Sequence, residues 1–453
     1  MRSARRVSLY TLGCRLNQAE TALIAERFRE RGYAIADHGE TVDVAVIHTC
    51  SVTERADARC RQEIRKVRRR APDALVCAVG CLAQSEPETV AALEGVDLVV
   101  GNERKYELVD LVEGRVPGGK VEVQVSIRPD GFRAEYPVAG YYPHATRANV
   151  KVQDGCDFVC GFCLLPRVRG RARSRRPGDI LAEARELARR GHRELVVTGV
   201  NIGTYRFENL RLADVVKALE SIEGVERIRI SSIEPTTIDE DLLEWMAASP
   251  RACRHLHVPL QSGDRAILAA MRRPYGPVEY AEFVHRARAL MPDLGLGTDV
   301  IVGYPGETEE SYRRTRAFLE TLPLTYLHVF SHSDRLKTVA AGLPDKVDRS
   351  TVKARSVELR AWGAARKRAV HEAAVGREVE VLLETVDEDG YRKGLTRNYL
   401  RVAVDAAAAP ENALVRVRLE KAENDHCTGS IIGSAPRAGS RGDSGAPAAG
   451  IQT

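Results

Sequence analysis

Three cysteines, Cys156, Cys160 and Cys163, stand within eight residues of the segment Asp-Gly-Cys-Asp-Phe-Val-Cys-Gly-Phe-Cys. Thiolates at this spacing can hold three irons of a four-iron cluster, whereas an electron-carrier cluster takes four Cys ligands. The fourth iron would then be open to a substrate. The alternative is a structural zinc site, which needs four ligands and usually takes a second pair of Cys or His. The segment offers no second pair, so the spacing favours an open iron–sulfur cluster.

The sequence around this segment predicts a partial barrel. Short apolar runs alternate with helical periodicity, which is typical of parallel strands joined by helices. The predicted strands are residues 149–153, 194–198, 227–232, 255–260, 297–302 and 326–330. Six such units with right-handed crossovers curl into a barrel smaller than the eight-unit form. The Cys segment follows the first strand, at the carboxyl end where barrel active sites lie.

A second set of cysteines is spread over the first hundred residues. Strands are predicted at residues 7–12, 42–48, 74–79 and 96–100, with helices at 17–31 and 53–70. One Cys follows each of the first three strands, and the carboxyl ends of parallel strands meet at one edge of a sheet. We therefore expect a second three-Cys cluster site. We refer to Cys14, Cys50 and Cys81 as the N-terminal triplet, and to Cys156, Cys160 and Cys163 as the barrel triplet.

The remaining cysteines and the composition indicate an ordinary globular protein. Cys60, Cys77, Cys253 and Cys427 are interpreted as packing residues. The chain has 453 residues, 44% hydrophobic and 29% charged, with a net charge of +5. We find no signal peptide and no run of about 20 apolar residues that would span a membrane. We expect a cytoplasmic protein without membrane contact, in which clustered thiols favour metal binding over disulfides.

Changes in pattern divide this α/β chain into five parts. Short strands at 378–384, 399–404 and 414–419 follow a helical stretch and predict a small all-β barrel. The predicted parts are an N-terminal parallel-sheet α/β domain at 3–113, a linker at 114–141 with a short strand at 121–125, the partial (β/α)6 barrel at 142–370, the all-β barrel at 371–433 and a disordered tail at 434–453.

Basic residues form two candidate contacts with RNA. Alternate arginines follow the barrel triplet, and a smaller patch lies in the all-β domain. Arginine binds phosphate through paired donors, although such runs are often only a solvated surface. The candidate RNA-binding residues are Arg169, Arg171, Arg173, Arg175, Arg392, Lys393 and Arg397.

Both triplets, with the segments around them, resemble the radical S-adenosylmethionine (SAM) methylthiotransferase family. Phe162 completes the C-x3-C-x-aromatic-C pattern of radical SAM enzymes. Thr-Leu-Gly-Cys-Arg-Leu-Asn at 11–17, Arg-Ile-Ser-Ser-Ile-Glu-Pro at 229–235 and Gln-Ser-Gly at 261–263 are similar to the branch that modifies threonylcarbamoyladenosine in tRNA. The resemblance covers residues 7–433 and implies a three-Cys domain, a radical SAM barrel and a C-terminal TRAM barrel.

The resemblance implies two [4Fe–4S] clusters and two uses of SAM. One SAM molecule would methylate a sulfur held at the N-terminal triplet. Another, at the barrel triplet, would give a radical that removes hydrogen from carbon 2 of the adenine, where the methylthio group then enters. Cofactors thus carry the difficult chemistry. Gln261 and Asp299, at or near strand ends, are candidate polar contacts with SAM, and Ser232 and Glu234, after the third strand, are candidates to hold its ribose; ordinary loop capping is the alternative for each. Phe162 is the aromatic residue of the motif and a further candidate contact.

The implied substrate is threonylcarbamoyladenosine next to the anticodon, at position 37 of tRNA. The implied partners are the tRNA anticodon stem-loop, a low-potential electron donor protein and a sulfur source. The same chemistry on isopentenyladenosine in tRNA, or on an aspartate of a ribosomal protein, is the alternative. An iron–sulfur RNA-binding or electron-transfer protein is a different class, and two three-Cys sites argue against electron transfer because that function needs fully ligated clusters.

Overall fold

The N-terminal domain is a six-stranded parallel sheet, as the alternating pattern predicts. The structure is a computed structural model that describes residues 4–51, 54–126, 139–143, 146–335, 337–386, 390–409 and 411–435. The strands are β1 (Arg6–Thr11), β2 (Ala34–Ala36), β3 (Val44–Thr49), β4 (Leu75–Gly80), β5 (Leu98–Val100) and β6 (Glu122–Gln124), in the order β2-β1-β3-β4-β5-β6. The helices are α1 (Arg15–Glu30), α2 (Glu54–Arg70), α3 (Cys81–Ser85), α4 (Pro87–Ala91) and α5 (Leu108–Val112).

The central strands β3 and β4 are buried along their whole length. A hydrophobic cluster covers each face of the sheet, so these strands read as continuous apolar runs rather than alternating ones. Cys77, in the middle of β4, is part of the cluster that includes α1 and α5. This packing fixes the ends of β3 and β4 side by side, and with them the residues that follow each strand.

Two short edge strands complete the N-terminal sheet, and the second of them matches a short strand predicted at 121–125. β2 has only three residues and was not predicted. β6 lies in the predicted linker, but it pairs with β5 and extends the N-terminal sheet. Residues 127–138 of that linker lie outside the described residues.

The central domain contains six parallel strands in two half-sheets, of order β13-β10-β7 and β14-β15-β16. Its strands are β7 (Arg147–Lys151), β8 (Gln153–Asp154), β9 (Arg173–Ser174), β10 (Glu194–Thr198), β11 (Arg206–Phe207), β12 (Leu210–Arg211), β13 (Arg227–Ile230), β14 (His255–His257), β15 (Gly295–Val302) and β16 (Tyr326–Ser331). Its helices are α6 (Leu165–Arg169), α7 (Pro177–Arg189), α8 (Leu212–Glu220), α9 (Glu240–Ala248), α10 (Arg265–Ala270), α11 (Pro277–Leu290) and α12 (Glu309–Thr321).

The half-sheets are joined into a partial barrel. Parallel bridges join Ile228 to Ala252 and Ser232 to His257, and one core of buried side chains runs through both halves. The six predicted strands are all present, with shifted ends: β7 begins two residues early and β14 ends three residues early. Helix α13 (Arg349–Glu372) packs along β16 and leads into the last domain.

The last domain is a closed five-stranded barrel in the order β17-β18-β19-β21-β20. Its strands are β17 (Glu378–Val386), β18 (Tyr391–Thr396), β19 (Arg401–Asp405), β20 (Leu414–Ala422) and β21 (Cys427–Ser434). The alternation of β20 turns Val415, Val417 and Leu419 into the core. The sequence pattern missed β18 and β21. Residues 436–453 of the predicted tail lie outside the described residues.

The described helices include none that is long and apolar enough to cross a membrane. The α/β class, the N-terminal sheet, the partial barrel and the small all-β domain are as predicted.

Candidate active site

The loop of the barrel triplet begins at a glycine that no other residue can replace without strain. Gly155 has a φ of +73°, and a Cβ there would lie 1.9 Å from the carbonyl oxygen of Arg171. The next residue, Cys156, donates its N–H to the carbonyl of Gly170 at 3.1 Å. The start of the Cys segment is therefore held against the arginine run that follows it.

Backbone donors point at two sulfurs of the barrel triplet. The N–H of Phe158 lies 3.4 Å from Cys156 Sγ, and the N–H of Leu165 lies 3.4 Å from Cys163 Sγ. Burial nevertheless raises the pKa of Cys163 to about 12, because a lone thiolate is poorly solvated there. Metal binding requires the deprotonated thiol, so a positively charged iron centre supplies the stabilisation that solvent does not.

A charged donor contacts the third sulfur. Arg273 places Nη1 3.1 Å from Cys160 Sγ, and its other amino group is paired with Glu234. Asn201 adds an amide contact of 3.8 Å from Nδ2 to Cys156 Sγ. Hydrogen bonds to cluster sulfurs orient the ligands and tune the reduction potential.

The N-terminal triplet lies at one edge of its sheet. Cys14 directly precedes α1, Cys50 directly follows β3, and Cys81 follows β4 as the first residue of α3. Gly13 has a φ of +99°, and a Cβ there would lie 2.8 Å from Cys50 Sγ, so the loop after β1 packs directly on the loop after β3. The positive end of the α1 dipole also favours negative charge near Cys14.

Asn17 ties these loops together. Its Nδ2 donates to the carbonyls of Leu12 at 2.8 Å and Thr49 at 3.2 Å, while its Oδ1 lies 3.8 Å from Cys14 Sγ. Thr49 in turn accepts two backbone N–H groups at the start of α3 through its hydroxyl. The ends of β1, β3 and β4 are thus joined by side-chain hydrogen bonds.

The donor sets fit an iron–sulfur cluster better than a single zinc ion. Among the described residues, one set of three potential metal ligands has its ligand atoms within 4.8 Å of one another, and it consists of His257, Asp299 and His328. Neither Cys triplet closes to that spacing, although Zn–S bonds of about 2.3 Å require thiolates closer than this. This spacing argues against a single zinc ion held by either triplet, whereas three thiolates with an open fourth position suit a four-iron cluster.

A cavity of about 300 Å³ opens beside the barrel triplet. All three of its Cys line the cavity, together with Asn201 and Arg273. Ser51, directly after Cys50 of the N-terminal triplet, lines the same cavity. One space therefore adjoins the barrel triplet and reaches the N-terminal domain beside Cys50.

Four of the five predicted SAM contacts line this cavity: Phe162, Glu234, Gln261 and Asp299. Ser232 is exposed and lies outside the lining, so the structure does not bring it together with the others. Gln261 has a φ of +72°, a strained conformation for a non-glycine residue at a strand end.

Asp299 is held by two histidines. His257 Nε2 lies 2.9 Å from its carboxylate and His328 Nδ1 lies 3.2 Å from it. Although burial raises the pKa of Asp299, these hydrogen bonds outweigh it and lower the pKa below its usual value. The cavity therefore contains an ionised carboxylate.

Comparison with known sequences places this site in a family. Residues 150–319 match the radical SAM superfamily, and residues 6–101 match an uncharacterized protein family, UPF0004. The Threonylcarbamoyladenosine tRNA methylthiotransferase MtaB of Bacillus subtilis is 35% identical over 441 residues, which cover 94% of this chain and 96% of that protein. The chain belongs to the radical SAM methylthiotransferase family.

Other relatives of this methylthiotransferase are similar over comparable lengths. The Aquifex aeolicus MtaB is 36% identical and covers 88% of this chain and 96% of its own. The tRNA-2-methylthio-N(6)-dimethylallyladenosine synthase of Frankia casuarinae is 32% identical and covers 96% of this chain and 79% of its own. Among solved structures, the radical SAM methyltransferase TsrM of Kitasatospora setae shares the fold, with a TM-score of 0.54, 17% identity and coverage of 73% and 75% of the two chains.

Membership settles the enzyme class and its cofactors. The chain is a radical SAM methylthiotransferase and uses SAM and [4Fe–4S] clusters. The two Cys triplets are the sites whose donor sets fit those clusters, and the closed C-terminal barrel is consistent with a TRAM domain.

The arginine run of the methylthiotransferase separates into buried and accessible members. Arg169 and Arg175 are buried in ion pairs with carboxylates, so neither is accessible to RNA in this structure, contrary to the sequence-based expectation. Arg171 is exposed, and Arg173 is half-buried.

The basic patch of the all-β domain is also largely withdrawn from the surface. Arg392 is buried, and Arg397 donates to the carbonyls of Ser249 and Ala252 in the central domain, which anchors the two domains to each other. Lys393 is half-buried.

Sequence reasoning missed several residues of the site. Arg273 is 113 positions from Cys160, and Arg335, which also lines the cavity, pairs with Asp57 across 278 positions. Such long-range contacts leave no local spacing signal. Asn201 lies in the segment Gly-Val-Asn-Ile-Gly, which departs from the commoner pattern of the family near the expected active site, so the resemblance gave no role for this residue.

Proposed function

We propose that this enzyme adds a methylthio group to carbon 2 of threonylcarbamoyladenosine at position 37 of tRNA, next to the anticodon. The observation that supports the substrate most is the similarity, along nearly the whole chain, to MtaB proteins of that named activity. Relatives named for dimethylallyladenosine are 32% identical to this chain, against 34–36% for these three MtaB proteins and 31% for the MtaB of Thermotoga maritima. They define the alternative substrate that the experiment below must exclude.

Most of the cavity lining is apolar, but its unpaired polar atoms favour the threonylcarbamoyl group. Three buried polar atoms at this cavity have no hydrogen-bond partner among the described residues: Asn201 Oδ1, His332 Nε2 and Ser333 Oγ. The threonylcarbamoyl group carries a urea, a hydroxyl and a carboxylate, whereas an isopentenyl group is apolar. Buried polar atoms left unpaired cost free energy, so this lining supports a polar substituent.

The two triplets would have different roles in the reaction. Cys156, Cys160 and Cys163 would hold one cluster, and the N-terminal triplet the other. When bound, the clusters and SAM supply the one-electron cleavage, the sulfur and the methyl group that the reaction consumes. Phe162, Glu234, Gln261 and Asp299 would then position SAM or the adenine against the barrel triplet.

A second cavity of about 380 Å³ offers a path for the RNA. It lies between the central and all-β domains, and the side chains of Arg147, Arg360, Lys367 and Arg401 line it, with Tyr399 beside them. Arg147 is paired with Glu384, which also lines the cavity, and Arg401 lies 3.6 Å from Asp425, so RNA phosphates would compete with these carboxylates. Cations bind the phosphates and an aromatic ring stacks on a base. His328 lines this cavity and hydrogen-bonds Asp299 of the first one, so the two are neighbours.

The remaining partners follow from the reaction. The candidates of the predicted set that are not fully buried are Arg171, Arg173, Lys393 and Arg397, of which Arg397 already donates to carbonyls of the central domain. A low-potential electron donor protein would reduce the clusters and a separate source would replace the sulfur. A tRNA substrate implies that the enzyme works in the cytoplasm.

The test is nucleoside mass spectrometry of tRNA from a host that lacks its own threonylcarbamoyladenosine methylthiotransferase. Expression of this chain should produce the methylthiolated threonylcarbamoyl nucleoside and leave isopentenyladenosine unchanged. The variant Cys14→Ala, expressed at the same level, is the control and should give no product.

A competition assay with the purified, reconstituted enzyme tests the choice of substrate directly. Two anticodon stem-loops that differ only in the substituent on adenosine 37 are offered in competition. Product on the isopentenyl RNA and none on the threonylcarbamoyl RNA would reject the proposed substrate while leaving the reaction class intact.

A further inference from the structure

Five charged side chains are buried together where the N-terminal domain meets the central domain. Glu20 accepts from Lys105 Nζ at 2.6 Å, from Lys151 Nζ at 2.8 Å and from Arg169 Nη1 at 2.9 Å. Asp154 accepts from Lys151 at 2.7 Å and from Arg169 at 3.1 Å. The exposure of these five side chains is between 0% and 8%. We call Glu20, Lys105, Lys151, Asp154 and Arg169 the Glu20 network.

The network joins the two domains rather than stabilising either one alone. Glu20 and Lys105 belong to the N-terminal domain, whereas Lys151, Asp154 and Arg169 belong to the central domain. Buried ion pairs contribute little net stability, because desolvation offsets their attraction. They do penalise any displacement that leaves a buried charge unpaired. Such a network is therefore better suited to fixing the relative orientation of the two domains than to adding free energy to their association.

On the central-domain side, the network is directly connected to the barrel triplet. Asp154 lies two residues before Cys156, and its Oδ1 accepts the N–H of Gly155 at 2.8 Å. Arg169 is the last residue of α6, the helix that follows Cys163.

On the N-terminal side, two amides connect the network to the other triplet. Arg169 Nη2 donates to Asn17 Oδ1 at 2.8 Å, and this same oxygen lies 3.8 Å from Cys14 Sγ. Lys105 Nζ contacts Asn102 Oδ1 at 3.2 Å, and the Nδ2 of that amide lies 3.8 Å from Cys81 Sγ. The N-terminal triplet is thus two hydrogen bonds away from the network, and the barrel triplet is joined to it through the backbone on both sides of its loop.

We propose that the Glu20 network sets the separation and orientation of the two iron–sulfur sites, and that Arg169 and Glu20 are positioning residues for methylthio transfer. The proposal rests on the proposed function, since only a reaction that uses both sites needs them aligned. Reacting groups must approach to about 3–3.5 Å, and an error of about 1 Å costs on the order of 100-fold in rate. A rigid, directional connection between the sites meets that requirement.

The test variant is Arg169→Lys, which keeps the charge but loses the fork that reaches Glu20, Asp154 and Asn17 at once. The matched control is Arg355→Lys. Arg355 is likewise a buried arginine that binds two glutamates, Glu307 at 2.7 Å and Glu309 at 3.3 Å, and these contacts lie within the central domain and α13.

Reconstituted Arg169→Lys enzyme should keep about eight irons per chain and should still cleave SAM to 5′-deoxyadenosine. Product formed per 5′-deoxyadenosine should fall by about tenfold or more, since misalignment acts on the transfer and not on cleavage. Pulsed electron paramagnetic resonance of the two reduced clusters should show an altered or broadened spin–spin interaction. Arg355→Lys should match the parent in both measurements.

An unchanged ratio and an unchanged spin–spin interaction would overturn the proposal. So would loss of four irons from Arg169→Lys, because that result assigns the arginine to cluster retention. If Arg169→Lys does not fold, the charge-balanced variant Glu20→Gln with Lys105→Met takes its place under the same criteria. If the proposed substrate is wrong, the parent enzyme itself will form no product. The spin–spin measurement uses no RNA, so it still tests the network in that case.

Discussion

The two Cys triplets are built in opposite ways. The barrel triplet occupies eight residues of one loop, and its spacing alone brings the sulfurs together. The N-terminal triplet brings together residues 14, 50 and 81, which meet because β1, β3 and β4 are adjacent parallel strands. The first site depends on local spacing, whereas the second forms only when three strands are paired. The N-terminal site therefore depends on the fold of its whole domain.

The surroundings of the sulfurs differ as well. In the barrel triplet, Cys160 receives a contact from the charged Arg273, and the other two sulfurs receive backbone N–H groups. In the N-terminal triplet, neutral amides of Asn17 and Asn102 contact Cys14 and Cys81. A charged donor favours the reduced form of a cluster. The charge of Arg169 also acts on Cys14 and Cys81, so both sites have a positive side chain nearby, and they differ in that only the barrel triplet has one in direct contact with a sulfur among the described residues.

Removing one barrel ligand should have the largest effect. Cys163→Ala should lower the iron content from about eight to about four per chain and abolish both 5′-deoxyadenosine and methylthiolated product. Iron assay and product analysis of the reconstituted enzyme measure this. Cys253→Ala, which alters a buried Cys of the central domain, is the control and should keep both activities.

Removing one N-terminal ligand should separate the two activities. Cys81→Ala should also lose about four irons, yet it should still form 5′-deoxyadenosine, because the barrel triplet is intact. Methylthiolated product should be absent. Loss of SAM cleavage together with product would show that the two sites are not functionally distinct.

The sequence predicted the Cys residues of both sites but not the residues that support them, and the reason is physical. Strand ends such as those before Cys50 and Cys81 are readable, because buried parallel strands are apolar throughout and end abruptly. The role of Arg169 was not readable: its partner Glu20 is 149 positions away, and an arginine in a basic run has the same local pattern whether it faces RNA or a buried carboxylate. Short edge strands such as β2 carry too few residues to show a period.

Replacing Arg273 should have an intermediate effect that is confined to the barrel site. Arg273→Gln removes the charged donor to Cys160 and leaves Glu234 without its partner. We expect SAM cleavage to fall about 10- to 100-fold and the reduction potential of the barrel cluster to become more negative, with the other cluster unchanged. Potentiometric titration followed by electron paramagnetic resonance measures both clusters. Arg272→Gln, at the adjacent exposed position, should leave both potentials at the parent values.

The smallest effect is expected at Cys60, which most directly challenges the assignment of the N-terminal triplet. Cys60 lies on α2 in the same buried cluster as Cys50, close enough for the two thiols to interact. Its position within a helix rather than at a strand end indicates packing. Cys60→Ala should therefore keep about eight irons and full product formation, and lower the free energy of unfolding by about 1 kcal/mol. Cys50→Ala is the matched variant and should lose about four irons. If iron is instead lost from Cys60→Ala and kept in Cys50→Ala, Cys60 is the third ligand of the N-terminal site, and the assignment of ligands from strand ends is wrong.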